Sequence, residues 1–256
     1  MLDKIKKWVE SVGDYQLKNF QEDLKINSKS AKIDLVTNID QKSEELIIDK
    51  IQSNYPGHDI FAEEGGNVNQ GSDYRWIVDP LDGTVNFIHG FPIFGISIAL
   101  YYKEKPKLGL IYYPYFKDYY IAEKDEGSYY NGSRIKTSQE TDLSQAMIST
   151  GFPYDHQTNN RSLKLFNKIL PEAGSIRRTG AAAYDLCQVA AGVFDGFWEI
   201  DLKLWDIAAG ALLIEEAGGT ITDFSGDDVY QNQNREIVAG GFDINSQLRK
   251  LLKEEK

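Results

Sequence analysis

Two aspartates, Asp79 and Asp82, stand where a short apolar run gives way to a glycine and a threonine. The run Trp76–Val78 predicts a buried strand that leads into Asp79, and Gly83-Thr84 predicts the start of a helix. A helix N-terminus offers free N–H groups and a partial positive charge, which suit a phosphate. Two carboxylates beside it suit Mg²⁺, which prefers oxygen ligands and often shares them with a substrate phosphate. One such Asp alone would indicate a turn or a cap, but the pair favours a magnesium and phosphate site.

Further carboxylates follow other predicted elements. Glu63 and Glu64 come directly after the apolar run Ile60–Ala62, and Asp206 opens a helix rich in Ala, Leu and Ile. Each has a purely structural alternative, since Asp206 could only cap its helix and Glu64 could be exposed or lie behind the site. Together with Asp79, these acids would form an all-oxygen donor set, which indicates a hard cation.

The composition excludes several other chemistries. The chain has 256 residues and a formal net charge of −11, so phosphate backbones and anionic membranes repel it. One cysteine, Cys187, excludes an intrachain disulfide and a Cys-rich zinc site, and three scattered histidines exclude an obvious His triad. The N-terminus lacks the apolar core of a secretory signal, and no apolar stretch reaches the ~20 residues that span a bilayer. We therefore expect a cytoplasmic protein with a small phosphorylated substrate, and neither nucleic acid nor a membrane as partner.

The periodicity of apolar residues predicts helices before the aspartate motif. Spacings of three and four residues predict a helix from Leu2 to about Phe20, and a second helix follows Asp40. Within the motif itself, Pro80 has no N–H group, so we expect it to end the hydrogen-bonded ladder of its strand.

The rest of the chain divides into a region of consecutive strands and a region in which strands alternate with helices. Residues 94–130 predict an antiparallel meander with turns at Lys105-Pro106 and Asn131-Gly132. After it, short strands alternate with helical stretches, which is typical of α/β structure. We predict an N-terminal α+β half with the antiparallel sheet and the metal motif (1–140) and a C-terminal α/β half (141–256), packed as one compact unit.

Four segments, in this order, resemble the signature elements of the inositol monophosphatase family. They span nearly the whole chain: Asp34–Asp40, Phe61–Glu64, Asp79–Thr84 and Leu204–Gly219. The resemblance implies a layered αβαβα sandwich of the α+β class. It also implies a homodimer and a lithium-sensitive, Mg²⁺-dependent phosphomonoesterase that hydrolyses a small sugar or polyol phosphate such as inositol monophosphate.

Carried over residue by residue, the resemblance implies two to three Mg²⁺ ions. Glu63, Asp79 and the backbone carbonyl of Leu81 would hold the first ion. Asp79, Asp82 and Asp206 would hold the second, and a third, weaker ion would lie near Glu63. Two ions in such a site can activate the attacking water and stabilise the leaving oxygen of an in-line displacement.

The resemblance also implies the catalytic and phosphate-binding residues. Thr84, with Glu63 or Asp40 behind it, would orient and deprotonate the attacking water. The backbone N–H groups of Gly83 and Thr84 would bind the phosphate, and Lys29 would lie near it. Asp40 has a structural alternative as the N-cap of the second helix, and the two roles are compatible.

The substrate-facing residues implied by the resemblance depart from the family pattern. Gly180, Ala181 and Ala182 resemble a Gly-Thr-Ala loop that contacts the sugar, but Ala181 replaces the Thr and removes one polar contact. Glu199 matches a position that bonds an inositol hydroxyl, and Asp82 also faces the substrate.

Two basic side chains leave the identity of the substrate open. Lys203 stands where animal members of the family carry His, and its charge could favour a second anionic group on the substrate. Arg178 lies close in sequence to the same loop. Fructose 1,6-bisphosphate and NADP are therefore alternatives to inositol monophosphate. Both cations could equally be solvated surface charges.

Two alternative functions remain. A haloacid-dehalogenase-type phosphatase also carries Asp-x-Asp-Gly-Thr after a strand, but its two aspartates are two residues apart, whereas Asp79 and Asp82 are three apart. An aspartyl-phosphate intermediate would support that alternative. A catalytically silent family member that binds a ligand is the other, and loss of a metal carboxylate or of Thr84 would indicate it.

Overall fold

Two β-sheets, one of seven strands and one of five, organise the part of the chain that the structure describes. The structure is a computed structural model, and it describes residues 1–22, 26–28, 35–153, 156–231 and 236–253. A two-stranded antiparallel ribbon precedes the larger sheet in the chain.

The first half of the chain supplies the seven-stranded sheet. In chain order its elements are α1 (Leu2–Asn19), β1 (Ile26–Ser28), β2 (Leu35–Thr37), α2 (Asn38–Asn54), β3 (Asp59–Ala62), β4 (Tyr74–Asp82), α3 (Thr84–Ile88), β5 (Gly95–Tyr102), β6 (Lys105–Tyr113), β7 (Asp118–Glu123), β8 (Gly127–Tyr130) and β9 (Ser133–Arg134). The strands pair in sequence order from β3 to β9; β3 and β4 are parallel and the other pairs are antiparallel. The predicted N-terminal helix and the antiparallel meander are therefore confirmed.

The second half supplies the five-stranded sheet. Its elements are β10 (Met147–Thr150), α4 (His156–Ile169), β11 (Ser175–Arg177), α5 (Ala182–Ala190), β12 (Gly196–Ile200), α6 (Leu204–Glu216), β13 (Thr220–Thr222), β14 (Glu236–Gly240) and α7 (Phe242–Leu252). The strand order is β11-β10-β12-β14-β13. The predicted alternation of strands and helices is confirmed, while the division into halves at residue 140 stays a prediction. Over the described ranges, every helix is too short or too polar to cross a bilayer.

Five layers arise because the strands present apolar side chains to both faces. Along β4, Trp76 and Val78 pack against α1 and α2, whereas Ile77 packs against α5 and α6. The helices α5 and α6 also cover one face of the five-stranded sheet through Phe197 on β12. Trp198 on the other face of that sheet packs against α4 and α7. This sequence of helix, sheet, helix, sheet and helix layers is the predicted αβαβα sandwich.

The helix α6 is buried on all sides because it lies between the two sheets. Every residue of Ile207–Ile214 is buried. Against β6 the approach is so close that a Cβ on Gly109 would lie 2.8 Å from the Ala209 carbonyl oxygen. Glycine at this position therefore lets the helix backbone rest directly on the strand, which fixes the start of α6 and with it Asp206.

The strand β4 does not end at Pro80, so that expectation was wrong. The pairing with β5 shifts register between Asp79 and Asp82, and Asp82 then pairs with Gly95. Pro80 lacks an N–H group and interrupts the ladder, but Asp82 re-engages the neighbouring strand. The result is an irregular strand end that carries both aspartates.

The turn predicted at Lys105-Pro106 was also wrong by two residues. The left-handed residues are Lys103 and Glu104, with φ of 51° and 60°, and Pro106 lies in β6. Proline holds φ near −65° and cannot take the positive φ that a two-residue hairpin turn requires. The turn predicted at Asn131-Gly132 is confirmed, with φ of 46° and 81°.

Candidate active site

The irregular end of β4 brings Asp79 and Asp82 to the wall of a cavity of about 330 Å³. The Asp79 side chain is buried, and its Oδ1 accepts a hydrogen bond from the Leu81 N–H at 3.0 Å. From behind, Gln16 Nε2 donates to the Pro80 carbonyl oxygen at 2.8 Å. The buried Gln16 side chain of α1 therefore holds the bend that carries the two aspartates.

Asp82 connects β4 to the start of α5. Its Oδ2 accepts hydrogen bonds from the Tyr113 hydroxyl at 3.2 Å and from the Tyr184 N–H at 3.3 Å. Tyr184 lies in the first turn of α5, whose N-cap residue, Ala181, makes no side-chain cap bond. Asp82 therefore takes the place of a capping side chain, and the positive end of the helix favours its carboxylate.

Asp206 and Glu63 reach the cavity from two other elements. In the first turn of α6, Asp206 Oδ2 accepts a hydrogen bond from the Lys203 N–H at 2.6 Å, so this Asp both caps the helix and lines the cavity. Glu63 follows β3 directly. The Trp205 and Phe61 rings, with centroids 5.1 Å apart, hold the start of α6 against β3. Four acids now form one group, which we call the carboxylate cluster: Glu63, Asp79, Asp82 and Asp206.

Burial raises the pKa of the three aspartates of the carboxylate cluster. Burial, followed by the negative charge of Glu63, raises the pKa of Asp79 well above its ordinary range. Burial also raises the pKa of Asp82 to about 6 and, together with Glu63, raises that of Asp206 to about 8. The Asp79 and Glu63 carboxyl groups are in hydrogen-bond contact. A bound cation would relieve the repulsion between these two groups.

The donor chemistry of the carboxylate cluster fits a hard divalent cation. Its donors are all carboxylate oxygens, and the carbonyl oxygen of Leu81 lies at the same wall. Among the described residues, no three acidic, imidazole or thiol groups already converge tightly enough to hold an ion. An ion would therefore draw these side chains together.

Thr84 and Asp40 form a hydrogen-bonded pair beside the cluster. Thr84 Oγ1 lies 2.7 Å from Asp40 Oδ1 and 3.1 Å from the Leu81 carbonyl oxygen. Asp40 is buried behind Thr84, and burial raises the pKa of its carboxyl group. Asp40 is not the N-cap of α2, because Thr37 occupies that position and Asp40 closes a capping box from the third helical residue. The capping and the Thr84 contact therefore coexist on one carboxylate.

The start of α3 requires glycine at its N-cap. Gly83 has φ of +86°, and a Cβ there would lie 2.7 Å from the Ile93 carbonyl oxygen. Any other side chain would meet both backbone strain and a steric clash. The predicted helix start at Gly83-Thr84 is confirmed, and both residues line the cavity.

The cavity brings together most of the predicted site residues. Asp40 lies behind Thr84, Lys29 lies outside the described residues, and Glu64, whose N–H donates to Glu44 Oε2, does not line the cavity. The predicted residues that line it are Glu63, Asp79, Leu81, Asp82, Gly83, Thr84, Gly180, Ala181, Ala182, Glu199, Lys203 and Asp206.

The far wall of the cavity carries a carboxyl group and two cations. The Glu199 carboxyl packs over Gly151, where a Cβ would lie 2.2 Å from Oε1, and burial raises the pKa of Glu199 well above its ordinary range. Lys203 Nζ donates to Asp201 Oδ1 at 3.0 Å. The Arg178 guanidinium lies 5.8 Å from the centre of the Phe152 ring. Both cations belong to the cavity wall.

Asp185 is a cavity residue that the sequence did not single out. It lies in α5, is 1% exposed, and accepts a hydrogen bond from the Thr179 hydroxyl at 2.9 Å. Burial raises its pKa well above the ordinary range, and the positive charge of Arg178 acts in the opposite direction. The available signal was an acid in an otherwise apolar helical stretch that follows Gly180 by five residues.

Comparison with known proteins finds the same architecture and family pattern. The sequence profile of the inositol monophosphatase family matches residues 2–255. Nus factor SuhB of Pseudomonas aeruginosa is 42% identical over 223 residues, which cover 85% of this chain and 82% of that protein. A fructose-1,6-bisphosphatase/inositol-1-monophosphatase of Aquifex aeolicus is 45% identical over 190 residues, covering 74% and 72%. The crystal structure of the extragenic suppressor protein suhB from Bartonella henselae superposes with a TM-score of 0.94 at 35% identity, covering 100% of this chain and 99% of that one.

Proposed function

This chain belongs to the inositol monophosphatase family, and on that premise we propose that it is a Mg²⁺-dependent phosphatase of a small polyol or sugar monophosphate. The carboxylate cluster beside the start of α3 is the observation that carries the proposal. Asp79 and Asp82 are buried, and four acids gathered at one cavity wall repel one another unless protons or a cation offset their charge. The expected homodimer and cytoplasmic location are part of the proposal.

Five groups would hold the metal. They are the side chains of Glu63, Asp79, Asp82 and Asp206 and the carbonyl oxygen of Leu81. When bound, Mg²⁺ supplies positive charge next to the phosphate and makes an attacking water more acidic. The protein fixes the direction of each ligand: α6 holds Asp206, and the first turn of α5 holds Asp82.

Thr84 and Asp40 are placed to handle the proton of the attacking water. The Thr84 hydroxyl is at the cavity wall, and its partner at 2.7 Å is the buried Asp40 carboxylate. A hydroxyl that donates to Asp40 turns its lone pairs toward the cavity, where it can accept a hydrogen bond from water. The N–H groups of Gly83 and Thr84 would bind the phosphate. This geometry favours Asp40 over Glu63 as the group behind Thr84, because Glu63 is in contact with Asp79.

The charges of the described cavity wall favour a monophosphate over a bisphosphate. Seven acidic and two basic side chains line the cavity. Two Mg²⁺ ions would bring this wall close to neutrality, and Lys203 is already paired with Asp201. Little positive charge is left for a second phosphate, whereas Glu199 and Asp185 can accept hydrogen bonds from sugar hydroxyls.

A phosphate-release assay tests the proposal. We expect inositol 1-phosphate at millimolar Mg²⁺ to give the highest kcat/KM, about tenfold or more above fructose 1,6-bisphosphate, NADP and 3′-phosphoadenosine 5′-phosphate, since a tenfold preference needs only about 1.4 kcal/mol. Chelation of Mg²⁺ should abolish release, and Li⁺ should inhibit it. Absence of phosphate release from every substrate would contradict the proposal. A preference for a bisphosphate would contradict the charge argument alone.

The stability of the metal-free protein should depend on pH in a defined direction. In the folded chain, burial raises the pKa of Asp82 to about 6 and that of Asp206 to about 8, from an ordinary value of 3.8. A raised pKa stabilises the folded state below the ordinary value, and this stabilisation is lost as pH rises through 6 and 8. We expect the Tm of chelated protein to fall by about 5 °C or more between pH 5 and pH 9. Mg²⁺ should restore Tm at the higher pH. A flat Tm profile would contradict mutual repulsion among the four carboxyl groups.

A second candidate function is the one that several relatives carry in their name. Proteins named Nus factor SuhB are 40–42% identical to this chain over most of its length. The net charge of −11 disfavours direct binding to RNA, so such a role would run through a protein partner. Co-purification with RNA polymerase tests it, with Asp82→Asn expected to co-purify as well as the wild type. If neither the wild type nor Asp82→Asn co-purifies with RNA polymerase, this candidate function is excluded, and the phosphatase proposal is unaffected.

A further inference from the structure

The Asn86 side chain contacts two loops of the cavity. The proposed function assigns one, at the start of α3, to the phosphate of the substrate and the other, at Gly180, to its sugar. Asn86 lies in α3, three positions after Gly83. Its Nδ2 donates to the Ile93 carbonyl oxygen at 2.8 Å and to the Thr179 carbonyl oxygen at 3.0 Å. One amide group therefore ties the phosphate-facing helix to the loop that begins at Gly180.

The two loops are in direct contact on either side of this amide. A Cβ on Gly180, whose φ is +83°, would lie 3.0 Å from Asn86 Oδ1. A Cβ on Gly83 would lie 3.3 Å from the Cβ of Ala181. There is no room for a water layer between the loops, so a change in the Asn86 contacts must move one loop relative to the other.

A second hydrogen bond anchors the sugar-facing loop to α5. The Thr179 hydroxyl donates to Asp185 Oδ1 at 2.9 Å, and Asp185 is 1% exposed. Ala181, the N-cap of α5, makes no side-chain cap bond, so the Thr179 hydroxyl supplies the side-chain contact between this loop and the helix. Asn86, Thr179 and Asp185 thus form a continuous chain from α3 to α5. None of them is a proposed metal ligand or a group that receives a proton.

We propose that Asn86 and Thr179 are positioning residues that set the distance between the phosphate-binding start of α3 and the sugar-binding loop at Gly180. The inference rests on the proposed function, because it assigns one substrate half to each loop. An in-line displacement requires the leaving oxygen, the phosphorus and the attacking water to be aligned. A shift of about 1 Å between the two halves can cost on the order of 10²-fold in rate.

The test separates the phosphate half of the site from the sugar half. Asn86→Ala removes the amide, and Thr179→Val removes the hydroxyl while keeping the shape. For each we expect kcat/KM on inositol 1-phosphate to fall by about 30-fold or more. The inhibition constant of inorganic phosphate, which needs only the phosphate half, should stay within about threefold of the wild type, since a positioning role leaves that half intact.

Two control variants leave the hydrogen bonds among Asn86, Thr179 and Asp185 intact. Thr179→Ser keeps the hydroxyl, and His89→Ala changes an exposed residue at the end of the same helix α3. Both should behave like the wild type. Unchanged kcat/KM in Asn86→Ala and Thr179→Val would overturn the inference, as would a parallel weakening of phosphate inhibition, because that indicates general damage. A wild type that releases no phosphate would instead refute the proposed function. Thermal unfolding of each variant identifies a folding failure, and the two variants lie on different elements, so one remains informative.

Discussion

Asp82→Asn should lower the turnover of inositol 1-phosphate by about 10³-fold, because loss of a metal ligand removes several kcal/mol of transition-state stabilisation. The substitution keeps the size of the side chain and an oxygen that accepts from the Tyr113 hydroxyl and the Tyr184 N–H. The fold and the start of α5 should therefore persist. What is lost is one of the four negative charges that the metal requires. Phosphate release at saturating Mg²⁺ measures the effect.

The same variant lowers turnover but should not lower the thermal stability of the metal-free protein. Burial raises the pKa of Asp82 to about 6, so at pH 8 the metal-free wild type carries a charge that its surroundings disfavour. Removal of that charge should leave the Tm of chelated Asp82→Asn equal to or above that of the wild type, while the stabilisation by Mg²⁺ shrinks. Asp73→Asn is the matched control, because Asp73 is exposed and its carboxylate lies 3.7 Å from the exposed Lys103 ammonium group. Turnover within tenfold of the wild type in Asp82→Asn would exclude Asp82 as a metal ligand.

The site was predictable from sequence where chemistry and local structure agree. Asp79 and Asp82 follow an apolar run that predicts a buried strand, and Gly83 allows the helix start beside them. Glu63 and Asp206 were recognisable through the family resemblance. Their convergence depends on two facts of packing: β3 lies parallel to β4, and α6 lies against the seven-stranded sheet. No local pattern encodes those contacts.

The residues that escaped prediction are those whose role depends on a distant partner. Asp185 looks like a stray acid in an apolar helix until Thr179 and the cavity are placed beside it. Asp40 was a possible N-cap by residue type. Thr37 is an equally good candidate by type, and it is the residue that fills that role. Pro80 was expected to end its strand, because a missing N–H is a local property, whereas the renewed pairing of Asp82 is not.

Thr84→Val should reduce turnover by about 10²-fold or more, the usual contribution of a group that orients or deprotonates a nucleophile. Valine keeps the shape of the side chain but removes the hydroxyl that links the cavity to Asp40 at 2.7 Å. Affinity for Mg²⁺ should change little, since none of the four acids of the carboxylate cluster is altered. The expected signature is therefore a lower kcat at an unchanged Mg²⁺ requirement, measured by phosphate release across a Mg²⁺ titration.

Thr84→Ser is the decisive companion variant, because it restores the hydroxyl and loses only a methyl group. It should regain turnover to within about tenfold of the wild type if the hydroxyl is what matters. Equal loss in Thr84→Ser and Thr84→Val would mean that Thr84 acts through packing at the start of α3. Asp40→Asn then distinguishes the two acids that could stand behind Thr84. It keeps an acceptor oxygen but removes the charge that draws the hydroxyl proton away from the cavity, so its kcat should fall with that of Thr84→Val. If kcat survived in Asp40→Asn, Glu63 would be the remaining candidate for the group behind Thr84.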